Sequence, residues 1–143
     1  SSESKLKIRA MLREVTEIES IGDSCYNLAR TINHKYRGNE DFTEKQYSHI
    51  HQMFQLTDDA LNQMVSLVED EGHQVDVNKS FNLENEINNY RSQLKNQNVL
   101  DVNNKEYDYQ MGVHYMDLIG ECEKLGDYIV NVVEARTDMK EKK

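Results

Sequence analysis

Proline is missing from all 143 residues, where an average composition would supply about 5%. Without the residue that ends or kinks helices, long unbroken helices are allowed. An excess of positive charge is missing too: 26 Asp and Glu stand against 17 Lys and Arg, for a net charge of −9. That excludes the basic footprint of a nucleic-acid binder. It also argues against direct phosphate binding by the bare protein, and favours cations or basic partners. No run approaches the roughly 20 apolar residues of a membrane span. No signal-peptide pattern opens the chain, and no Met precedes Ser1, so a fragment of a longer protein, or a processed chain, is expected. Cysteine is scarce: Cys25 and Cys122 make no CxxC pair and lie near no His at zinc spacing. Two reduced, buried thiols in a cytosolic setting are expected, without a metal or redox motif.

What is present is periodic. Hydrophobic residues make up 37% and charged residues 30%, which suits narrow apolar stripes on helices with solvated outer faces. Ile8, Met11, Val15, Ile18, Gly22, Cys25, Ala29 and Ile32 recur at alternating spacings of three and four, one seam on a first helix. "RGNED" breaks it. A second helix opens at "TEKQ", a capping box. Its stripe is Tyr47, Ile50, Phe54, Leu61, Met64 and Val68, with Thr57 in a polar slot, and Gly72 is its stop. A weaker third carries Phe81, Leu83, Ile87, Tyr90 and Leu94. A fourth follows the cap-like "NNKE" with Met111, Tyr115, Leu118, Cys122, Leu125, Ile129 and Val132, and frays at the basic tail "KEKK". The spacing predicts helices over roughly 5–36, 43–70, 77–98 and 104–138. One domain, 1–143, in an all-α antiparallel up-down-up-down four-helix bundle is the simplest fold.

Shifted by 104 residues, Glu17, Glu19, Gly22, Asp23 and Asn27 fall on Glu121, Glu123, Gly126, Asp127 and Asn131. The shared pattern is E-x-E-x-x-G-D-x-x-x-N. An acidic i, i+4 pair alone is common in this chain; two copies with the same Gly and Asn are not. In the expected bundle the first and fourth helices are neighbours, with the motifs at similar height. Glu19, Asp23, Glu123 and Asp127 would then converge on one edge, and Gly22 and Gly126 would let the two backbones approach. Converging carboxylates repel, and a bound cation would turn them into a ligand set of hard oxygens. The alternative is a pair of solvated acidic faces, with the glycines serving only helix packing.

"ESIGDSCYN" and "EKLGDYIVN" resemble the signature of the PhoU family, whose members regulate phosphate uptake. "NLENEINNYRSQL" is similar to the family's E-x-E-I-D helix, except that Asn88 stands where an acid is usual. The run "REVTEIESIGDSCYNLARTINHKY" is most similar to the PhoU-like region at the C-terminus of bacterial sodium/phosphate cotransporters, a resemblance that implies a C-terminal fragment of a longer chain. The resemblance implies two three-helix bundles in the full family fold, this chain holding the last helix of one and the whole of the next. It also implies iron or zinc held by the paired motifs, and a regulatory rather than enzymatic role. A transmembrane transporter domain of the same or an associated chain would be the partner, at the cytoplasmic side of the bacterial inner membrane, and a homo-oligomer is a further expected state.

Other constellations are poor. His49 and His51 lie on different helix faces, while His34, His73 and His114 are isolated. No HExxH, Glu-x-x-His, GxGxxG or nucleophile motif occurs. The competing functions are a metal-free helical interaction module and a carboxylate-metal enzyme. The second needs a pocket with an acid or base beside the metal. An apolar patch near Leu6, Leu12 or Leu28 is expected if helices of a neighbouring bundle are missing.

Overall fold

A computed structural model describes residues 1–36, 41–70 and 76–140, apart from the side chains of 34–36 and 140. Helices α1 (Ser2–Tyr36), α2 (Glu44–Glu69), α3 (Val77–Asn103) and α4 (Tyr109–Lys140) account for nearly all of it, with no strand among the described residues. The break at 37–40, the stop at Gly72, His73, the side chain of His34 and the fraying tail lie outside the described residues.

Local signals fix most helix starts. The Thr43 hydroxyl accepts from the Gln46 amide at 3.1 Å, and the Gln46 side chain accepts from the Thr43 amide at 3.0 Å. Such a cap is worth about 1 kcal/mol. Asp76 caps α3, accepting from the Asn78 amide at 3.0 Å. "NNKE" closes a helix rather than opening one. α3 runs on to Asn103, the Asn104 amide donates to Leu100 O, and Lys105 takes a left-handed φ of 57°. The α4 cap is Asp108 instead, accepting from the Met111 amide at 2.8 Å. Asn serves at either end of a helix, so the tetrapeptide alone does not give the direction.

Helix α4 is the hub: it lies against α1, α2 and α3, and α2 also lies against α3, while α1 runs alongside α4 alone. The arrangement is a three-helix core with α1 docked on its flank, rather than a closed ring of four. Met111, Tyr115, Leu118, Cys122, Leu125, Ile129 and Val132 are all buried, as their spacing predicts, and Ile119 and Val133 add a second buried row. Each such side chain contributes about 1.5–3 kcal/mol of transfer energy. Facing them, α2 buries Ile50, Thr57 and Met64 as expected, together with Met53, Ala60 and Leu67, while Tyr47 stays exposed. From α3 come Ile87 and Leu94.

On α1 the expectation is inverted. Ile8, Met11, Val15 and Ile18 are exposed, and Cys25 with them. The face seated on α4 is Ala10, Glu14, Ile21 and Ser24, with Leu28 and Ile32 packed partly against the core. The glycines also part company. Gly22 is open, and a Cβ there would meet nothing within 4 Å. At Gly126 a Cβ would sit 3.4 Å from Ile87 Cδ1, so this glycine serves the α3–α4 approach and not the α1–α4 one.

Candidate functional site

The α1–α4 contact explains the ends of the repeated motif. Asn131 donates to Glu17 Oε2 at 3.1 Å, and Asn27 donates to Glu121 Oε1 at 3.4 Å. Glu17 and Asn27 begin and end one copy; Glu121 and Asn131 begin and end the other. The same bond is therefore made twice, as in two antiparallel segments related by an approximate two-fold axis. Ser24 reinforces one side, donating to Glu121 Oε1 at 2.8 Å. Ion pairs extend the contact: Arg136 to Glu14 at 2.7 Å and Arg13 to Asp138 at 2.6 Å. The first and last motif residues form a reciprocal clasp. Sequence reasoning gave these four residues no role. The signal was available, because an antiparallel pair centred on the motifs sets each Glu acceptor opposite the other copy's Asn donor.

The inner acids follow a different course. Glu19 stands two residues, or about 200° around the helix, from Glu17, and Glu123 stands the same from Glu121; Asp23 and Asp127 lie one turn further on, beside Glu19 and Glu123. They turn away from the α1–α4 contact. Glu19 and Asp23 are exposed on α1. On α4, Glu123 pairs with Arg91 of α3 at 3.3 Å. The Asp127 carboxyl is pushed above the usual range, by burial first and then by the charges of Glu84 and Glu123. Asn88 donates to Glu84 at 2.7 Å.

The expected convergence of Glu19, Asp23, Glu123 and Asp127 is therefore not formed. Among the described residues, no group of three or more His, Cys, Asp or Glu has the geometry to hold a metal ion. Arg91 already supplies positive charge to Glu123, so the four carboxylates do not fit one iron or zinc centre. A groove of about 520 Å³ opens on the same two helices, with Arg91, Lys95, Asn98 and Asp117 among its walls.

A second polar cluster ties α2 to α4. His49 Nδ1 and the Tyr115 hydroxyl are 2.9 Å apart. Burial, then the Lys45 charge, pushes the His49 pKa down, and burial pushes the Tyr115 pKa up. Lys45 reaches Asp101 at 3.5 Å, and Gln97 donates to Asp101 at 2.8 Å. These bonds hold the helix ends together. His51 and His114 are exposed.

An all-α module with a three-helix core, a docked fourth helix and twin acidic motifs is what fold and site define. The PhoU domain model matches residues 50–135, more than half of the chain, and the chain belongs to that family. The match spans most of α2, all of α3 and most of α4, so it takes in the second motif copy and leaves α1 with the first copy outside. No curated protein and no solved structure matches the chain. Membership suggests a regulatory role in phosphate homeostasis.

Proposed function

We propose that this chain is a non-catalytic regulatory domain that tunes phosphate uptake by contact with the transmembrane part of a phosphate transporter. The sodium/phosphate cotransporter type is the expected partner, at the cytoplasmic side of the bacterial inner membrane. The observation that carries the reading is the PhoU match over the three-helix core. No helix of the described residues is long and apolar enough to cross a membrane. Regulation in this reading runs through contact between surfaces. Any iron or zinc would meet two separate acidic pairs, Glu19 with Asp23 on α1, and Glu123 with Asp127 beside Glu84.

Phosphate uptake by cells tests it: remove the coding region of this domain, then restore it. Altered uptake that recovers on restoration supports the reading, and unchanged uptake contradicts it. A metal-free interaction module is the second reading, favoured by the Arg91–Glu123 pair and by the open apolar row of α1. Metal analysis of untagged protein separates the two: bound iron or zinc, lost in Asp23→Asn and Asp127→Asn, argues for the metal. An enzyme has less support, because Glu19, Asp23 and Asp127 all lie at exposed edges.

A further inference from the structure

Helix α3 carries Glu84, Asn88 and Arg91 at spacings of four and three, which puts them on one face. That face meets Glu123 and Asp127 of α4. Gly126 sets the approach, since a Cβ there would lie 3.4 Å from Ile87 Cδ1 and the two helices come close beside the acids. The α3–α4 groove thus gathers the carboxylates of Glu84, Glu123 and Asp127, and it also supplies partners for them. Arg91 Nε lies 3.3 Å from Glu123 Oε2. The Asn88 amide donates to Glu84 Oε1 at 2.7 Å. The Arg91 and Glu123 side chains are only 32% and 28% exposed, so salt screens this pair less than it would a surface pair. One turn beyond Arg91, Lys95 lines the continuation of the groove and adds a second positive charge.

We propose that Arg91 is the resident cation of the second acidic motif, and that this copy of the motif takes no iron or zinc. The family resemblance implies a metal at each paired motif; the donor set of this groove does not fit one. A zinc ligand must turn a free lone pair toward the ion at about 2.0–2.2 Å. Here Glu123 already faces a guanidinium, and Glu84 already accepts from an amide. Position 88, where an acid is usual, brings no negative charge and turns its N–H to Glu84. A divalent ion on Glu123 would stand beside the guanidinium, and like charges that close repel. Driving Arg91 aside would leave a half-buried charge without its partner. The work a metal would do in this groove is to offset neighbouring carboxylates and tie α3 to α4. Arg91 does both as part of the chain, with a charge that no change of pH or metal supply removes. The inference concerns the second copy alone and does not depend on the phosphate role. It sharpens the metal-free reading, which covers both copies.

Equilibrium dialysis of the untagged whole chain against zinc chloride at pH 7, with bound zinc counted per chain, tests the proposal. Asp127→Asn should bind as much zinc as the wild type, because the second motif holds none. Arg91→Met combined with Asn88→Asp removes the resident cation and restores an acid, and should bind one zinc more than the wild type. Adding Asp127→Asn to that pair should remove the extra zinc. Arg91→Lys, which keeps the charge, should bind no more than the wild type. Far-UV circular dichroism checks that each variant keeps its helix content, and the comparison of wild type with Asp127→Asn needs no folded Arg91 variant. Zinc held by the wild type and lost in Asp127→Asn overturns the proposal. So does a folded variant with Arg91→Met and Asn88→Asp that gains no zinc. Zinc lost from the wild type in Asp23→Asn but kept in Asp127→Asn contradicts the metal-free reading and supports this inference, because the ion then sits on the first copy.

Discussion

Cys122 on α4 is fully buried, while Ile18, which holds the same place in the first copy of the motif, is 43% exposed. The two helices share a pattern, and their surroundings differ. α4 has neighbours on both of its rows; α1 has one on its polar row only. A repeated sequence therefore repeats a local contact, here the Glu–Asn clasp, without repeating what packs around it. Core energy should concentrate in the second copy, and the first should tolerate change.

The largest effect should come from truncating equivalent positions. Ile119→Ala removes a fully buried side chain and should cost about 2–5 kcal/mol. Its counterpart Val15→Ala should cost less than about 0.5 kcal/mol in dilute solution. Urea unfolding of both variants reads the difference, and equal costs would erase the contrast between the helices.

Next comes the clasp. Glu121→Ala leaves Ser24 and Asn27 without their shared acceptor and should cost about 1.5–3 kcal/mol. Glu17→Ala loses only the Asn131 bond and should cost about 1 kcal/mol. A double-mutant cycle of Glu17 with Asn131 should show coupling, while Glu17 with Asn27 should be additive.

A smaller effect, of opposite sign, belongs to the glycines. Gly22→Ala meets open space and should stabilise α1 by roughly 1 kcal/mol. Gly126→Ala sets its Cβ at the close edge of contact with Ile87 Cδ1, 3.4 Å away, and with less room should gain less. Thermal unfolding of the pair would sharpen or blunt the comparison.

The smallest effect is electrostatic. Asp127 holds its proton more tightly in the folded chain, through burial and the nearby Glu84 and Glu123 charges. Stability thus falls as pH rises from the ordinary Asp range through the raised folded value. Asp127→Asn should gain about 0.2–0.5 kcal/mol at pH 7 from its relieved helical pair. That gain should vanish near pH 3, where the native Asp is protonated in both states.

Much of this was legible in the sequence. The α4 stripe could be read residue by residue, because a helix with several neighbours buries most of its apolar residues, Tyr109 and Val113 near its start excepted. The Thr43 box was equally plain, since its bonds are local. α1 misled because it has two rows of the same spacing, and apolarity singles out the wrong one. The row that packs contains Glu14, Glu17 and Ser24, whose burial makes sense only when their partners on α4 are known. The four-carboxylate site failed for a related reason. The acids were placed by height along the helices, but Glu19 and Asp23 adjoin the apolar row of α1, which faces away from α4, and so stay off the shared contact. The exposed Leu6 and Leu12 were anticipated; Leu28 packs instead against the core.

The two cysteines test the central contrast most directly, for Cys25 belongs to the open row of α1 and Cys122 to the buried row of α4. Burial also pushes the Cys122 thiol up to about 12, leaving little reactive thiolate at neutral pH. Native protein treated with a chromogenic disulfide reagent at pH 8 should release one thiol equivalent quickly and the second only on unfolding, and Cys25→Ser should abolish the fast phase alone. Two slow thiols would mean that the α1 row is covered, and two fast thiols would mean that α4 is not the centre of the core; either result would contradict the account.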